Sequence, residues 1–329
     1  MNIGLIGASG YWGPKLLKAA ADLESARVVC CSAGHDLERL TRVVSQLAPA
    51  DQVPALMLRT DVLLSRRGLD AVIVAAPAEN HFEIAHAALV AGKHVFLEKP
   101  MCLSHEDAVE LATLANEHGK ILLVDHTYIF SKCLAYMKAR IDDGSIGVPL
   151  MAHSQRTQMG IYRQHGVLWD LAPHDLSILT YLFPEESITA VRCQVASHFG
   201  GKKKTPPDEA IYGLSLSNGI RSSGVLSWCQ PRCSRDFAVA GTDGMLLFEQ
   251  NSIVKRFHRN SPGVSVPDRE HWKLCEEYAP EDNPLRNALS TFVESVAVGG
   301  QGVPAYCRPE FGVRIVDEIE QLHRSAQHW

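Results

Sequence analysis

Ile3-Gly4-Leu5-Ile6-Gly7-Ala8-Ser9-Gly10-Tyr11-Trp12-Gly13-Pro14 is the stretch that decides the fold. Ile3 to Ile6 reads as a buried strand, and Pro14 to Leu23 as a helix with proline in its first turn, where a missing N–H costs nothing. The glycines in between let the chain turn sharply and let backbone N–H groups approach a pyrophosphate, towards which the helix turns its positive end. The spacing G-x-x-G-x-x-G is one residue longer than the usual dinucleotide fingerprint, and a glycine turn alone is equally a tight turn needing positive φ. Its place after the first strand and before the first helix favours the dinucleotide.

Working outward, the alternation continues. Arg27 to Ser32 reads as a strand and Asp36 to Leu47 as a helix. Ala71 to Ala76 is a strand apolar on both faces. Asn80, with Glu83 three residues on, is placed to cap a helix that Gly92 ends, and Val95 to Leu97 is a strand. Ser104 and Asp107 form a capping pair for a helix stopping at Gly119, and Ile121 to Val124 closes the series. Strands buried on both faces and separated by helices imply a parallel, doubly wound α/β sheet, with ligands bound beyond the carboxyl ends of the strands. An NAD site would end the second strand in a carboxylate for the ribose 2′-OH. Ser32 stands there, which removes a repulsion against a 2′-phosphate that Arg39 could approach, so NADP is the expected cofactor form over NAD. The alternative is that Ser32 merely ends a strand and Asp36 caps the next helix.

Ala76-Pro77-Ala78-Glu79-Asn80-His81 and the run from Ala88 through Gly92-Lys93-His94-Val95-Phe96-Leu97-Glu98-Lys99-Pro100 strongly resemble the Gfo/Idh/MocA oxidoreductases. Gly10-Tyr11-Trp12-Gly13-Pro14 and Trp169-Asp170-Leu171-Ala172-Pro173-His174-Asp175 extend the resemblance across almost the whole chain, towards the branch acting on amino sugars and nucleotide-linked sugars. The resemblance implies a Rossmann domain over residues 1–124 and, over 125–329, a substrate-binding and oligomerising α+β domain with an open, mostly antiparallel sheet. It implies an NAD or NADP cofactor, a small sugar, amino-sugar or cyclitol substrate, and a homodimer or homotetramer. Cofactor contacts are expected from Gly7, Ser9, Gly10, Tyr11, Trp12, Gly13, Ser32, Ala76, Pro77, His81, Glu98 and Lys99. The family's motif lysine maps to Lys99, and its aspartate and histidine to Asp170 and His174.

Oxidising a secondary alcohol needs hydride transfer to the nicotinamide and removal of the hydroxyl proton. Histidine suits the proton, and a cation near the oxygen stabilises alkoxide character. Asp170 to Ile178 reads as a helix with Pro173 in its first turn, which puts Asp170 and His174 on one face. His174 is expected as acid/base, Lys99 as polarising cation, and Asp170 as orienter of a substrate hydroxyl. The plainer alternatives are a capping Asp170, a surface His174 and a loop Lys99. Tyr128, Arg156, Tyr162 and Arg163 are candidate substrate contacts. An arginine there would clamp a phosphate or carboxylate, although Arg156 reads more readily as a solvated strand residue. Tyr128 stands where family members often carry arginine or asparagine, so the substrates of the sugar-acid and inositol members are not carried over. His81 is expected to bond locally near the cofactor turn.

Lys132 to Asp142 reads as a helix. Strand-like stretches follow at Leu150–Thr157, Thr189–Ser197, Ala210–Ser217, Arg221–Trp228, Asp236–Ala240 and Met245–Glu249, with turns at Asn218-Gly219 and Asp243-Gly244. Helices near Pro284–Val298 and Pro309–Gln327 end the sequence. With 32 basic and 37 acidic residues the net charge is −5, and Lys202-Lys203-Lys204 is the one basic cluster, so neither nucleic acid nor an anionic membrane is expected as partner. No leader or membrane-length apolar run is visible, and the nine scattered cysteines suit free thiols in a cytoplasmic protein. Cys229 and Cys233 lack the second ligand pair of a zinc site, so no metal is expected.

Two other functions compete. Gly7 to Tyr11 also resembles the opening of N-acetyl-glutamyl-phosphate reductases, but no cysteine stands in their Asn-Pro-Gly-Cys setting. A nucleotide-sensing regulator that kept the fold and lost catalysis is the other, and Lys99, Asp170 and His174 together argue against it.

Overall fold

The computed structural model describes residues 1–33, 36–48, 53–160, 162–199, 206–249, 253–259 and 272–328. Gly34, His35 and the 202–204 lysines lie outside the described residues. The chain forms two compact units: Met1–Thr127 with Asn283–Asp317, and Tyr128–Asp282 with Glu318–Trp329.

In the first unit β1 (Asn2–Ile6), β2 (Arg27–Ser32), β3 (Ala55–Met57), β4 (Ala71–Val74), β5 (His94–Glu98) and β6 (Leu122–Asp125) form one parallel sheet in the order β3-β2-β1-β4-β5-β6. The order reverses beside β1, where the strand ends diverge and such sheets bind ligands. Ala71-Val72-Ile73-Val74 is wholly buried, as a strand covered on both faces must be. Helices α1 (Gly13–Ala21), α2 (Leu37–Leu47), α3 (Thr60–Leu64), α4 (His81–Val90) and α5 (His105–Glu117) follow the strands. Asp36 caps α2 by accepting from Arg39 N at 2.8 Å, and Ser104 caps α5 by accepting from Asp107 N. Asn80 occupies the position before α4 but makes no capping bond, because a 3₁₀ turn over Ala78–Asn80 already leads into the helix. The late helix Pro284–Ala297 also belongs here, packing on α1, β5 and β6. Its Phe292 meets Phe96 edge-on at 5.7 Å, and burying each ring contributes about 2–3 kcal/mol.

In the second unit α6 (Lys132–Asp142) and α7 (Gly166–Leu182) accompany a nine-stranded sheet. Its strands are β7 (Pro149–Thr157), β8 (Ile188–Ala196), β9 (Glu209–Leu216), β10 (Arg221–Ser227), β11 (Ser234–Gly241), β12 (Gly244–Glu249), β13 (Ile253–Arg259), β14 (Trp272–Tyr278) and β15 (Ala326–His328). The sheet is mostly antiparallel; β7 with β10 and β8 with β15 are its parallel pairs. Asn218-Gly219 makes the β9–β10 hairpin, with Gly219 at φ 90° and Asn218 Oδ1 accepting from Ile220 N at 3.1 Å. Helix α7 starts four residues before the expected Asp170, so Pro173 sits inside the helix and not in its first turn. Asp170 is therefore a mid-helix residue and not a cap. Among the described residues no helix is long and apolar enough to cross a membrane.

Candidate active site

In the first unit the turn after β1 is shaped by close backbone approach. Gly7 has φ 82° and a Cβ there would lie 2.5 Å from Ala75 O, while a Cβ on Gly13 would overlap the carbonyl of Ala8. Both positions require glycine. The amides of Gly7 and Ala8 both donate to Ser32 O at 2.9 Å, which ties the turn to the end of β2, and Gly10 N donates to Gly7 O at 2.9 Å. The following amides lead into α1, whose first turn has no intrahelical acceptors for its N–H groups. Ser32 does end β2 in the place of the ribose-binding carboxylate. Its hydroxyl is buried with no hydrogen-bond partner among the described residues.

Lys15 is not among the cofactor contacts expected from the sequence. It occupies the first turn of α1, where the helix dipole disfavours a cation, and that conflict with the dipole was the available signal. Its ammonium lies 3.9 Å from the Tyr11 ring centroid and 4.1 Å from that of Trp12, two cation–π contacts. Its charge also helps to lower the pKa of Glu98, so it acts on the end of β5 as well as on the glycine turn.

The carboxyl ends of β5 and β6 hold the most perturbed groups of this unit. Glu98 and Asp125 are register partners, and both are buried. Burial, with Asp125 beside it, raises Glu98 well above the usual carboxylate range, and burial pushes Asp125 up to about 7 against the pull of the Thr127 hydroxyl and Lys99. His126 is held down to about 3 by burial and then by Lys99, so its imidazole is neutral; Phe311 meets it edge-on at 5.6 Å. Glu98 Oε1 and both His126 ring nitrogens have no hydrogen-bond partner among the described residues. His81 bonds locally, as expected: Nδ1 lies 2.7 Å from Pro100 O and Nε2 3.0 Å from Ala76 O. It thereby joins the segments after β4 and β5. Burial lowers its pKa although both carbonyls pull the other way. Half-buried Lys99 acts electrostatically on Glu98, Asp125, His126 and His81.

In the second unit Asp170 and His174 lie one turn apart on α7 and both are half-buried. Trp228, directly after β10, donates its indole N–H to Asp170 Oδ2 at 3.2 Å. The exposed Tyr162 ring meets Trp228 edge-on at 5.7 Å. Tyr128 meets His174 edge-on at 5.3 Å. Arg156 is not a solvated strand residue: its side chain is 4% exposed, because Asp175 on α7 receives its Nε at 2.8 Å. Arg163 is exposed, and its carbonyl accepts from Gly166 N at 3.2 Å. The structure thus groups Tyr128, Arg156 and His174, and separately Tyr162 and Asp170 through Trp228.

A reversed parallel sheet with a glycine turn on its first strand defines a dinucleotide-binding α/β unit, and the orphaned Ser32 hydroxyl and the glycine cradle fit such a cofactor. Residues 1–126 match the model of the oxidoreductase family with an NAD-binding Rossmann fold, and residues 134–247 match the family's C-terminal domain. The chain belongs to the Gfo/Idh/MocA family. It is 31% identical over 262 residues to the 1,5-anhydro-D-fructose reductase of Ensifer adhaerens, covering 72% of each chain. It is 36% identical over 148 residues to the 2,7-anhydro-N-acetylneuraminate hydratase of Mediterraneibacter gnavus, a match covering 45% of this chain and only 37% of the hydratase. The UDP-N-acetylglucosamine 3-dehydrogenase of Acidithiobacillus ferrooxidans shares the fold, with TM-score 0.81 and 22% identity over 99% of this chain and 97% of that one.

Proposed function

We propose that this chain is a cytoplasmic enzyme that moves a hydride between a nicotinamide cofactor and a secondary alcohol or ketone carbon of a sugar, amino sugar, nucleotide sugar or cyclitol. The observation that carries the reading is the position of Lys99. It directly follows Glu98, the last residue of β5, and so stands after the carboxyl end of a strand, the edge at which ligands of this sheet type bind, and its charge acts on Glu98, Asp125, His126 and His81. The reductase named above supports a sugar substrate. NADP is favoured over NAD because Ser32 offers no carboxylate to repel a 2′-phosphate, and Arg39 is exposed on the first turn of α2.

The glycine turn, Ser32, Ala76-Pro77 and the Glu98-Lys99 segment would hold the cofactor, which when bound supplies or accepts the hydride at its nicotinamide ring. Lys99 polarises the substrate oxygen and shares its proton. His174 takes up the hydroxyl proton in oxidation and returns it in reduction. Asp170, held through one oxygen by Trp228, orients a substrate hydroxyl.

The test is a titration with NADH and NADPH, followed by nicotinamide fluorescence and then by turnover with UDP-sugars, amino sugars and cyclitols. NADPH is expected to bind more tightly, Ser32→Asp to move the preference towards NADH, and His174→Ala to abolish turnover with cofactor affinity intact. Failure to bind either cofactor, or normal turnover in His174→Ala, refutes the reading.

A further inference from the structure

Asp175 follows His174 on α7, and its carboxylate is fully enclosed, with 0% side-chain exposure. Three groups from the sheet converge on it. Arg156 Nε on β7 donates to Oδ1 at 2.8 Å, Ser154 Oγ on β7 donates to Oδ2 at 2.8 Å, and Tyr212 OH on β9 lies 2.9 Å from Ser154 Oγ and 3.4 Å from Oδ2. Gly224 on β10 makes room for the Tyr212 ring, which a Cβ at 224 would overlap. On its other side Arg156 places its guanidinium carbon 4.7 Å from the Tyr128 ring centroid. Tyr128 stands edge-on to His174 at 5.3 Å and 87°, and edge-on to Phe248 at 6.1 Å and 83°.

We propose that Arg156 and Asp175 are positioning residues: their buried pair fixes the Tyr128 ring, and Tyr128 fixes the imidazole of His174. The inference rests on the reading of His174 as the acid–base group. A buried ion pair is weak evidence for stability, since a well-packed apolar pair often does as well. It does fix direction. The arginine fork is planar; its Nε meets Asp175 and its central carbon lies over the Tyr128 ring. Lysine keeps the charge and loses that plane. Asp175 also ties the turn of α7 that carries His174 to β7 and β9.

The experiment compares Arg156→Lys, Tyr128→Leu and the double variant in kcat, KM and cofactor affinity, with circular dichroism checking the fold. Each single variant is expected to lower kcat by roughly 10- to 100-fold, the cost of a misplaced acid–base group, with KM and cofactor affinity within about 3-fold. The double variant is expected to be no worse than the poorer single, because both act through one chain of contacts. Singles within about 3-fold of the parent, or losses that multiply in the double, overturn the proposal. If Arg156→Lys does not fold, Tyr212→Phe removes only one hydroxyl from the network, and an unchanged kcat there counts against it. A readout independent of turnover is the His174 imidazole resonance, assigned with His174→Ala. It is expected to shift or broaden in Arg156→Lys, and an unmoved line overturns the inference. A line that moves in Arg156→Lys, when the parent protein turns over no sugar, leaves the positioning intact and refutes the enzyme reading alone.

Discussion

Stability of the cofactor-free first unit should depend on pH through two adjacent buried groups that act in opposite directions. Asp125 is raised from its ordinary 3.8 to about 7 by burial, so the folded state holds its proton more tightly. Its contribution is fully present below about 3.8 and is lost as the pH rises to about 7. At ~1.4 kcal/mol per pH unit this amounts to at most ~4 kcal/mol. His126 is lowered from 6.5 to about 3, so its contribution is present above about 6.5 and lost as the pH falls towards 3, at most ~5 kcal/mol on the same scale. Between about 4 and 6.5 the two slopes offset one another. Glu98, also raised, adds to the loss on the alkaline side. Asp125→Asn should therefore tilt the stability curve upward with pH by ~1.4 kcal/mol per unit relative to the parent, and His126→Asn should tilt it downward by a similar amount. Urea unfolding from pH 4 to 8, with amide exchange of the β5 and β6 peptides identifying the unit that opens, measures both. Parallel curves for the parent and Asp125→Asn would show that Asp125 ionises normally and refute the burial argument.

Gly13→Ala forces a Cβ into the Ala8 carbonyl, and Ala8 N is itself held by Ser32 O, so we expect more than ~2 kcal/mol of destabilisation and at least a ten-fold loss of cofactor affinity. Gly68→Ala is the control: φ is 74° but nothing lies within 4 Å, so strain alone should cost about 1 kcal/mol in a melting experiment and leave cofactor binding unchanged. Lys15→Met should weaken NADPH binding about five-fold and flatten its salt dependence, with no loss of melting temperature, because the helix is relieved of a cation at its positive end. Unchanged affinity across salt concentrations would remove Lys15 from the cofactor site.

What the sequence disclosed was local. The strands β1, β2, β4, β5 and β6 are short runs apolar on both faces, and Lys132–Asp142 is a helix with the bounds expected, opened by the Ser131 cap. β3 and α3, with three and five residues, are too short to show a period. β14, Trp272-Lys273-Leu274-Cys275-Glu276-Glu277-Tyr278, ends the order of its sheet, pairs among the described residues with β13 alone, and has too many charged residues to read as a strand. Pro173 pointed to a helix start that lies instead at Gly166, because α7 tolerates a proline in its interior. The glycine turn, Glu98-Lys99-Pro100 and Asp170 with His174 are contiguous or one turn apart, and so were visible. Asp175 had no legible role, since its partners Ser154, Arg156 and Tyr212 come to it through the register of β7 and β9.

The same non-local register explains why the end of the first sheet is costly to the protein itself. Pairing β5 with β6 places Glu98 beside Asp125, two carboxyl groups that cannot both ionise in a buried setting. Ser32 Oγ, Glu98 Oε1 and the His126 ring nitrogens add buried polar atoms without partners among the described residues. Each such atom costs about 1–3 kcal/mol, and an interior selected for stability alone would replace them with apolar side chains. All of them lie at the carboxyl ends of β2, β5 and β6, the edge where this sheet order binds ligands, and Lys99 brings a positive charge to the same edge. The cost is therefore concentrated where a bound polar molecule could supply the missing partners. This is the pattern expected when local rules of stability are broken for a binding site.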